Sequence, residues 1–146
     1  MERTTGDGTE GLNTYVPRET VGYMLNCAQH ALRQNMDRQL KDLGLSAPQY
    51  SVLASIEGEP GASIARLAFV SPQTMQVMFV KLEQAGLIAR APDAEHGRIL
   101  RTALTHQGRE ILALARVAAS KSEQIAREAA SDGAVDILRR IAEVLS

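Results

Sequence analysis

The chain has 146 residues, Lys+Arg 16 against Asp+Glu 17, a formal charge of −1, and 45% hydrophobic but only 3% aromatic side chains. That length and apolar fraction suit one domain, or a domain with an arm, and exclude a globally disordered chain. The charge excludes a strongly basic nucleic-acid coat and a polybasic membrane anchor.

Residues 1–15 are rich in Thr, Gly and acids and read as a flexible tail, because so little apolar surface cannot offset the entropy of ordering it. The polar start, Met1 to Gly8, does not read as a secretory signal. Pro17 suits the first turn of a helix. Val21, Met24, Leu25, Ala28, Leu32, Met36, Leu40 and Leu43 then recur at three- and four-residue steps, which predicts a long amphipathic helix ending near Gly44. Ser46-Ala47-Pro48-Gln49 has the form of a capping box opening a second helix. Its buried face is Tyr50, Val52, Leu53 and Ile56, and Gly58-Glu59-Pro60-Gly61 stops it. Ser63 caps a short third helix with Ile64, Leu67 and Ala68 inward.

Ser71 caps the fourth helix, with Pro72 at its first position; Met75, Met78, Phe79 and Leu82 face inward, and Gly86 is a left-handed stop. The period then changes. Leu87–Ala91, a turn-prone Pro92–Gly97 and Arg98–Leu104 read as a β-hairpin with a long tip. Thr105 caps a fifth helix of roughly two dozen residues, carrying Ile111, Leu112, Ala115, Ala118, Ala119, Ile125, Ala126 and Ala129. Ser131-Asp132-Gly133 interrupts it, and Val135, Leu138, Ile141, Ala142 and Leu145 mark a last short helix. The fold class is mainly α with a small β-hairpin. No apolar run approaches the ~18 residues of a membrane span. A single cysteine allows no intrachain disulfide and suits a reducing cytoplasm.

Helix, tight joint, second helix and hairpin make a winged helix-turn-helix, whose second helix enters a DNA major groove while the hairpin reaches backbone or minor groove. From about Leu43 to Gly108 the chain resembles the multiple-antibiotic-resistance regulator (MarR) family of bacterial transcription factors. The resemblance rests on Leu45–Tyr50, Val70–Met75, Leu82–Ile88, Pro92–Arg98 and Leu104–Gly108, in that order. It implies a homodimer, with a dimerisation helix over residues 16–44, a DNA-binding winged helix-turn-helix over 45–104 and C-terminal dimerisation helices over 105–146. It further implies a repressor of a pseudo-palindromic double-stranded DNA operator, released by a small phenolic or similar effector. The alternative is a winged-helix protein-interaction module that has lost DNA binding. Its motivations are Val77, where the family usually has a basic residue, and five basic residues balanced by five acidic ones between Ser46 and Leu104.

On a helical wheel Gln73, Thr74, Gln76, Val77, Val80 and Lys81 lie on or beside the free face of the fourth helix. Gln can pair bidentately with adenine, and a Val or Thr methyl can meet a thymine methyl. Ser71 and Thr74, at the helix N-terminus, suit a phosphate. Arg98 matches the family's minor-groove arginine at the wing tip. His96 stands where the family commonly has an acid that orients it. A neutral imidazole could accept a hydrogen bond from Arg98 and a protonated one would repel it, so wing docking is expected to weaken below about pH 6.5. Arg66, Arg90 and Arg101 are candidate phosphate contacts, and so few cations predict a shallow salt dependence.

Tyr23, Cys27 and His30 share one side of the first helix. With Tyr50 they are the candidates for the effector pocket that the resemblance implies. Cys27 reads as a buried, inert thiol, because its register does not match the reactive cysteine of the family's peroxide sensors. Two potential ligands, Cys27 and His30, make no metal site. No phosphate loop or nucleophile–base arrangement is visible, so neither an enzyme nor a cofactor is expected.

Overall fold

The computed structural model describes residues 18, 20–58, 70–98 and 100–146. The chain divides into two compact units, Met1–Ala31 and Leu32–Ser146. The expected tail, Pro17, Arg66 and the short helix expected from Ser63 lie outside the described residues. Among those described, the elements are α1 (Val21–Leu40), a 3-10 turn (Lys41–Leu43), α2 (Ala47–Gly58), α3 (Pro72–Gln84), β1 (Ile88–Pro92), β2 (Leu100–Leu104), α4 (His106–Ala129) and α5 (Ala134–Leu145).

Local chemistry sets most of these boundaries. α1 starts at Val21, after Thr20, whose hydroxyl accepts a hydrogen bond from the Tyr23 N–H at 3.2 Å. The turn after α1 closes on Gly44 at φ +69°, a left-handed conformation that glycine adopts without a Cβ penalty. The capping box forms reciprocally: the Gln49 N–H donates to Ser46 Oγ at 3.3 Å, and the Ser46 N–H to Gln49 Oε1 at 2.9 Å. Asp37 of α1 adds a cap that local pattern does not announce, its Oδ1 accepting from the Ala47 N–H at 2.6 Å. α3 ends in a Schellman motif. The Gly86 N–H donates to Glu83 O at 2.9 Å and the Leu87 N–H to Leu82 O at 3.0 Å, with Gly86 at φ +74°.

The core of the second unit joins Leu40 and Leu45, then Val52, Leu53 and Ile56 of α2, Met75, Met78, Phe79 and Leu82 of α3, Ile88 and Leu104 of the hairpin, and Leu112 and Ala115 of α4. Each large apolar side chain so buried contributes about 1.5–3 kcal/mol. The four inward residues expected on α3 are all buried, so its opposite face is defined by exclusion. Two long-range polar contacts brace the frame: Ser122, which is buried, donates to Asn35 Oδ1 at 2.7 Å, and Arg116 pairs with Glu57, tying α4 to α2.

The strands pair antiparallel with Ile88 opposite Leu104, Arg90 opposite Thr102 and Pro92 opposite Leu100. Alternation turns Ile88, Arg90, Thr102 and Leu104 inward and leaves Ala89, Ala91, Arg101 and Ala103 outside. The hairpin base is locked to α4. Thr105 Oγ donates to Gly86 O at 2.6 Å and accepts from the Gly108 N–H at 2.9 Å, and the Thr105 N–H donates to Leu87 O at 3.1 Å.

Candidate nucleic-acid interface

α3 begins at Ser71, whose Oγ accepts the Thr74 N–H at 3.2 Å and donates to Thr74 Oγ1 at 2.9 Å. Pro72 fills the first helical position, where an N–H would have no intrahelical acceptor. Spare backbone donors and the positive end of the helix dipole therefore meet solvent here, a setting that favours an anion. Gln73, Thr74, Gln76, Val77, Val80 and Lys81 are all exposed along the helix. The face is polar at its start and apolar in its middle, where Val77 and Val80 stand open to solvent.

The wing distributes its arginines unequally. Arg101 Nε donates to Asp93 Oδ2 at 2.6 Å. Asp93 also accepts the Glu95 N–H at 2.9 Å. That backbone hydrogen bond, first, and then the Arg101 side chain hold the Asp93 carboxyl below its ordinary value. Arg90 points inward and its side chain is only 20% exposed. Its guanidinium lies over the Phe79 ring at 5.5 Å, its Nη1 donates to Gln76 Oε1 at 3.3 Å, and its Nε is 3.4 Å from Glu83 Oε2. Arg98 and His96 are both exposed. Among the described residues no hydrogen bond joins them, and Arg98 has no ion-pair partner.

These placements bear on several expectations. Arg90 and Arg101, the candidate phosphate contacts, are each paired within the protein, Arg90 with its side chain 20% exposed and Arg101 with its side chain 67% exposed. For Arg90 the reason is strand alternation: two residues after buried Ile88, it falls on the inner face. The pH response expected from a His96–Arg98 contact loses its geometric basis, since the acid that orders the turn is Asp93 and its cation is Arg101. Sequence reasoning also passed over Glu83 and Phe79 as partners of a wing arginine, although the same alternation could have found them.

Tyr23, Cys27 and His30 lie in the first unit and are exposed; Tyr50 lies in the second, half-buried against its core. Cys27 is therefore not a buried thiol. A helical repeat identifies an apolar stripe but not whether another element covers it. The Cys27 side chain, one turn on, raises the Tyr23 phenol above its ordinary value, first through a side-chain hydrogen bond and then through charge. Among the described residues no group of three or more His, Cys, Asp or Glu side chains could hold a metal ion, and no helix is long and apolar enough to cross a membrane.

A capped surface helix backed by a core and flanked by a β-hairpin defines a winged-helix protein of the DNA-binding type. Comparison with known proteins narrows the class. The family model described as MarR family matches residues 43–99. The HTH-type transcriptional repressor Rv2887 of Mycobacterium tuberculosis is 36% identical over 112 residues, which cover 75% of this chain and 76% of that protein. The crystal structure of Rv2887 in complex with salicylic acid superposes with a TM-score of 0.68 at 30% identity, covering 87% of this chain and 96% of that one. The repressor CouR bound to a 23-mer DNA duplex gives a TM-score of 0.77 at 24% identity over 88% and 94% of the two chains, a likeness of fold. The chain belongs to the MarR family.

Proposed function

We propose that this protein is a homodimeric transcriptional repressor that binds a pseudo-palindromic DNA operator and leaves it when a small aromatic acid or similar effector binds. One observation carries the DNA reading. The exposed face of α3 offers Gln73, Thr74, Gln76, Val77 and Lys81 beside a wing whose Arg98 is exposed without an ion-pair partner among the described residues. Gln and Thr can read base edges, the Val77 methyls suit thymine, and Ser71 with Thr74 and the helix N-terminus suits a phosphate. Lys81 and Arg98 supply backbone and minor-groove contacts, with His96 beside Arg98 at the wing tip.

Dimerisation is supported by apolar surface that a single chain leaves open. Val144 and Leu145 of α5 are 81% and 80% exposed, and Ile137 and Leu138 are also open. Ile137, Ile141, Val144 and Leu145 share this face with Asp136 and Arg140. Leu114, Val117 and Ile125 of α4 are exposed as well. Apolar area of this extent suits burial against a second copy. The effector reading rests on the relative: Rv2887 binds salicylic acid in its crystal structure. The family is one of regulators, and we assign the chain no enzymatic activity and a place in the cytoplasm.

Selection of bound duplexes from a random DNA pool tests the function. Enrichment of an inverted repeat supports a dimeric regulator. Absence of any enriched sequence supports a winged-helix interaction module instead.

A further inference from the structure

We infer that Arg90 is a positioning residue for base recognition: it holds the Gln76 carboxamide by its oxygen and so presents the amide N–H donors to the DNA groove. This rests on the reading of α3 as the groove-entering helix. Arginine carries five N–H donors and no acceptor, so the Gln76 atom facing Nη1 at 3.3 Å is the oxygen. The chemistry of the partner therefore settles the orientation of the amide.

Arg90 is itself constrained from three directions. Its guanidinium stacks over Phe79 at 5.5 Å, its Nε is buried without a hydrogen bond but faces Glu83 Oε2 at 3.4 Å, and its backbone is fixed in β1 opposite Thr102, which is 7% exposed. Phe79 and Glu83 lie three and seven residues after Gln76 on the same helix, so the contact also ties the wing to α3. The guanidinium is thus pre-set before DNA arrives, and the Gln76 carboxamide is held against it.

The consequence is a change in what Gln76 reads. A free glutamine takes adenine bidentately, accepting from N6 and donating to N7. A glutamine whose oxygen already accepts from a cation has one lone pair fewer for adenine N6 while its N–H donors stay free; those donors suit the N7 and O6 acceptors of guanine and disfavour cytosine, whose groove edge presents a donor. Arg90 accordingly tilts this position from adenine toward guanine.

The test uses the full-length protein and a selected operator. The base pair read by position 76 is the one whose preference is lost in Gln76→Ala, and affinities are measured for all four pairs there. Arg90→Met keeps a long apolar stem over Phe79 and removes every donor. The expected result is a shift of about tenfold in the guanine-to-adenine affinity ratio toward adenine, the size of one base contact, with other positions unchanged. The same substitution should shift nothing in the Gln76→Ala background, and Arg90→Lys should restore part of the preference. Uniform weakening across all sequences, as for a phosphate ligand, overturns the inference, and so does a shift that persists without Gln76. Absence of any preferred sequence for the wild type overturns the DNA reading itself. A second measurement needs no variant. In the free wild-type protein, nitrogen relaxation should show the Gln76 side-chain amide more restricted than that of Gln73; equal mobility contradicts a held carboxamide.

Discussion

Replacing Gly108 by alanine sets two effects of opposite sign against each other. Alanine is the better helix former by about 0.8–1 kcal/mol, which by itself predicts stabilisation. Gly108, however, sits in the first turn of α4, where an added Cβ would lie 1.9 Å from Leu87 O and 2.9 Å from the Leu87 carbonyl carbon. Those atoms are backbone and cannot swing aside. The strand–helix joint would have to open by roughly 1 Å, and it carries the 3.1 Å bond from the Thr105 N–H to Leu87 O. Overpacking of this kind costs about 1–3 kcal/mol, occasionally more, and a weakened hydrogen bond adds about 1 kcal/mol. The clash wins. Gly108→Ala should lose about 1–3 kcal/mol in urea denaturation, compared at one protein concentration because association shifts apparent stability. Gly97→Ala is the control. Its Cβ would meet nothing within 4 Å, so its stability should stay within about 0.5 kcal/mol of the wild type. A Gly108→Ala protein as stable as the wild type would refute the account of how the wing is anchored to α4.

Four further outcomes follow from the same geometry. Arg98→Ala should weaken operator binding about tenfold or more with an unchanged urea midpoint, and unchanged affinity removes Arg98 from the interface. Operator affinity should fall only shallowly with salt, because Arg90 and Arg101 are paired internally; a log–log slope steeper than about −8 contradicts this. Asp93 is held below the usual carboxylate range, so its contribution to wing order is complete at neutral pH and lost in acid as pH falls through its own lowered value. Amide shifts of Arg101 and Gly97 should show that acid transition in the wild type and not in Asp93→Asn. Sedimentation at micromolar concentration should give a dimer, and Val144→Asp with Leu145→Asp, which place charges on the open α5 face, should shift it toward monomer.

The fold was legible wherever boundary chemistry is local. Ser46 with Gln49, Ser71 with Pro72, Gly86, Thr105 and Gly133 each mark an element end by a residue type that few other positions require. The inward face of α3 was equally legible, since a 3.6-residue period admits one assignment for Met75, Met78, Phe79 and Leu82. Partners distant in sequence were not. Nothing near Asp37 shows that it caps a helix ten residues on, and nothing near Ser122 points to Asn35. Charge was the least legible property. Arg90, Arg98 and Arg101 look alike as letters, yet the structure leaves only Arg98 without an internal ion pair among the described residues. Cys27 shows the same limit, because a stripe on a helix records what could be covered rather than what is. The near-zero charge of the chain therefore understates the matter: of the cations on the hairpin, two are paired within the protein.

The central claim is that the open face of α3 reads DNA sequence. Its most direct test is the random-pool selection run in parallel on the wild type and on a Gln73→Ala, Gln76→Ala double variant, both solvent-exposed positions whose loss should leave the core intact. The wild type should enrich an inverted repeat, and the double variant should lose the preference at the central base pairs of each half-site. Enrichment of the same sequence with the same stringency by both proteins would contradict the account.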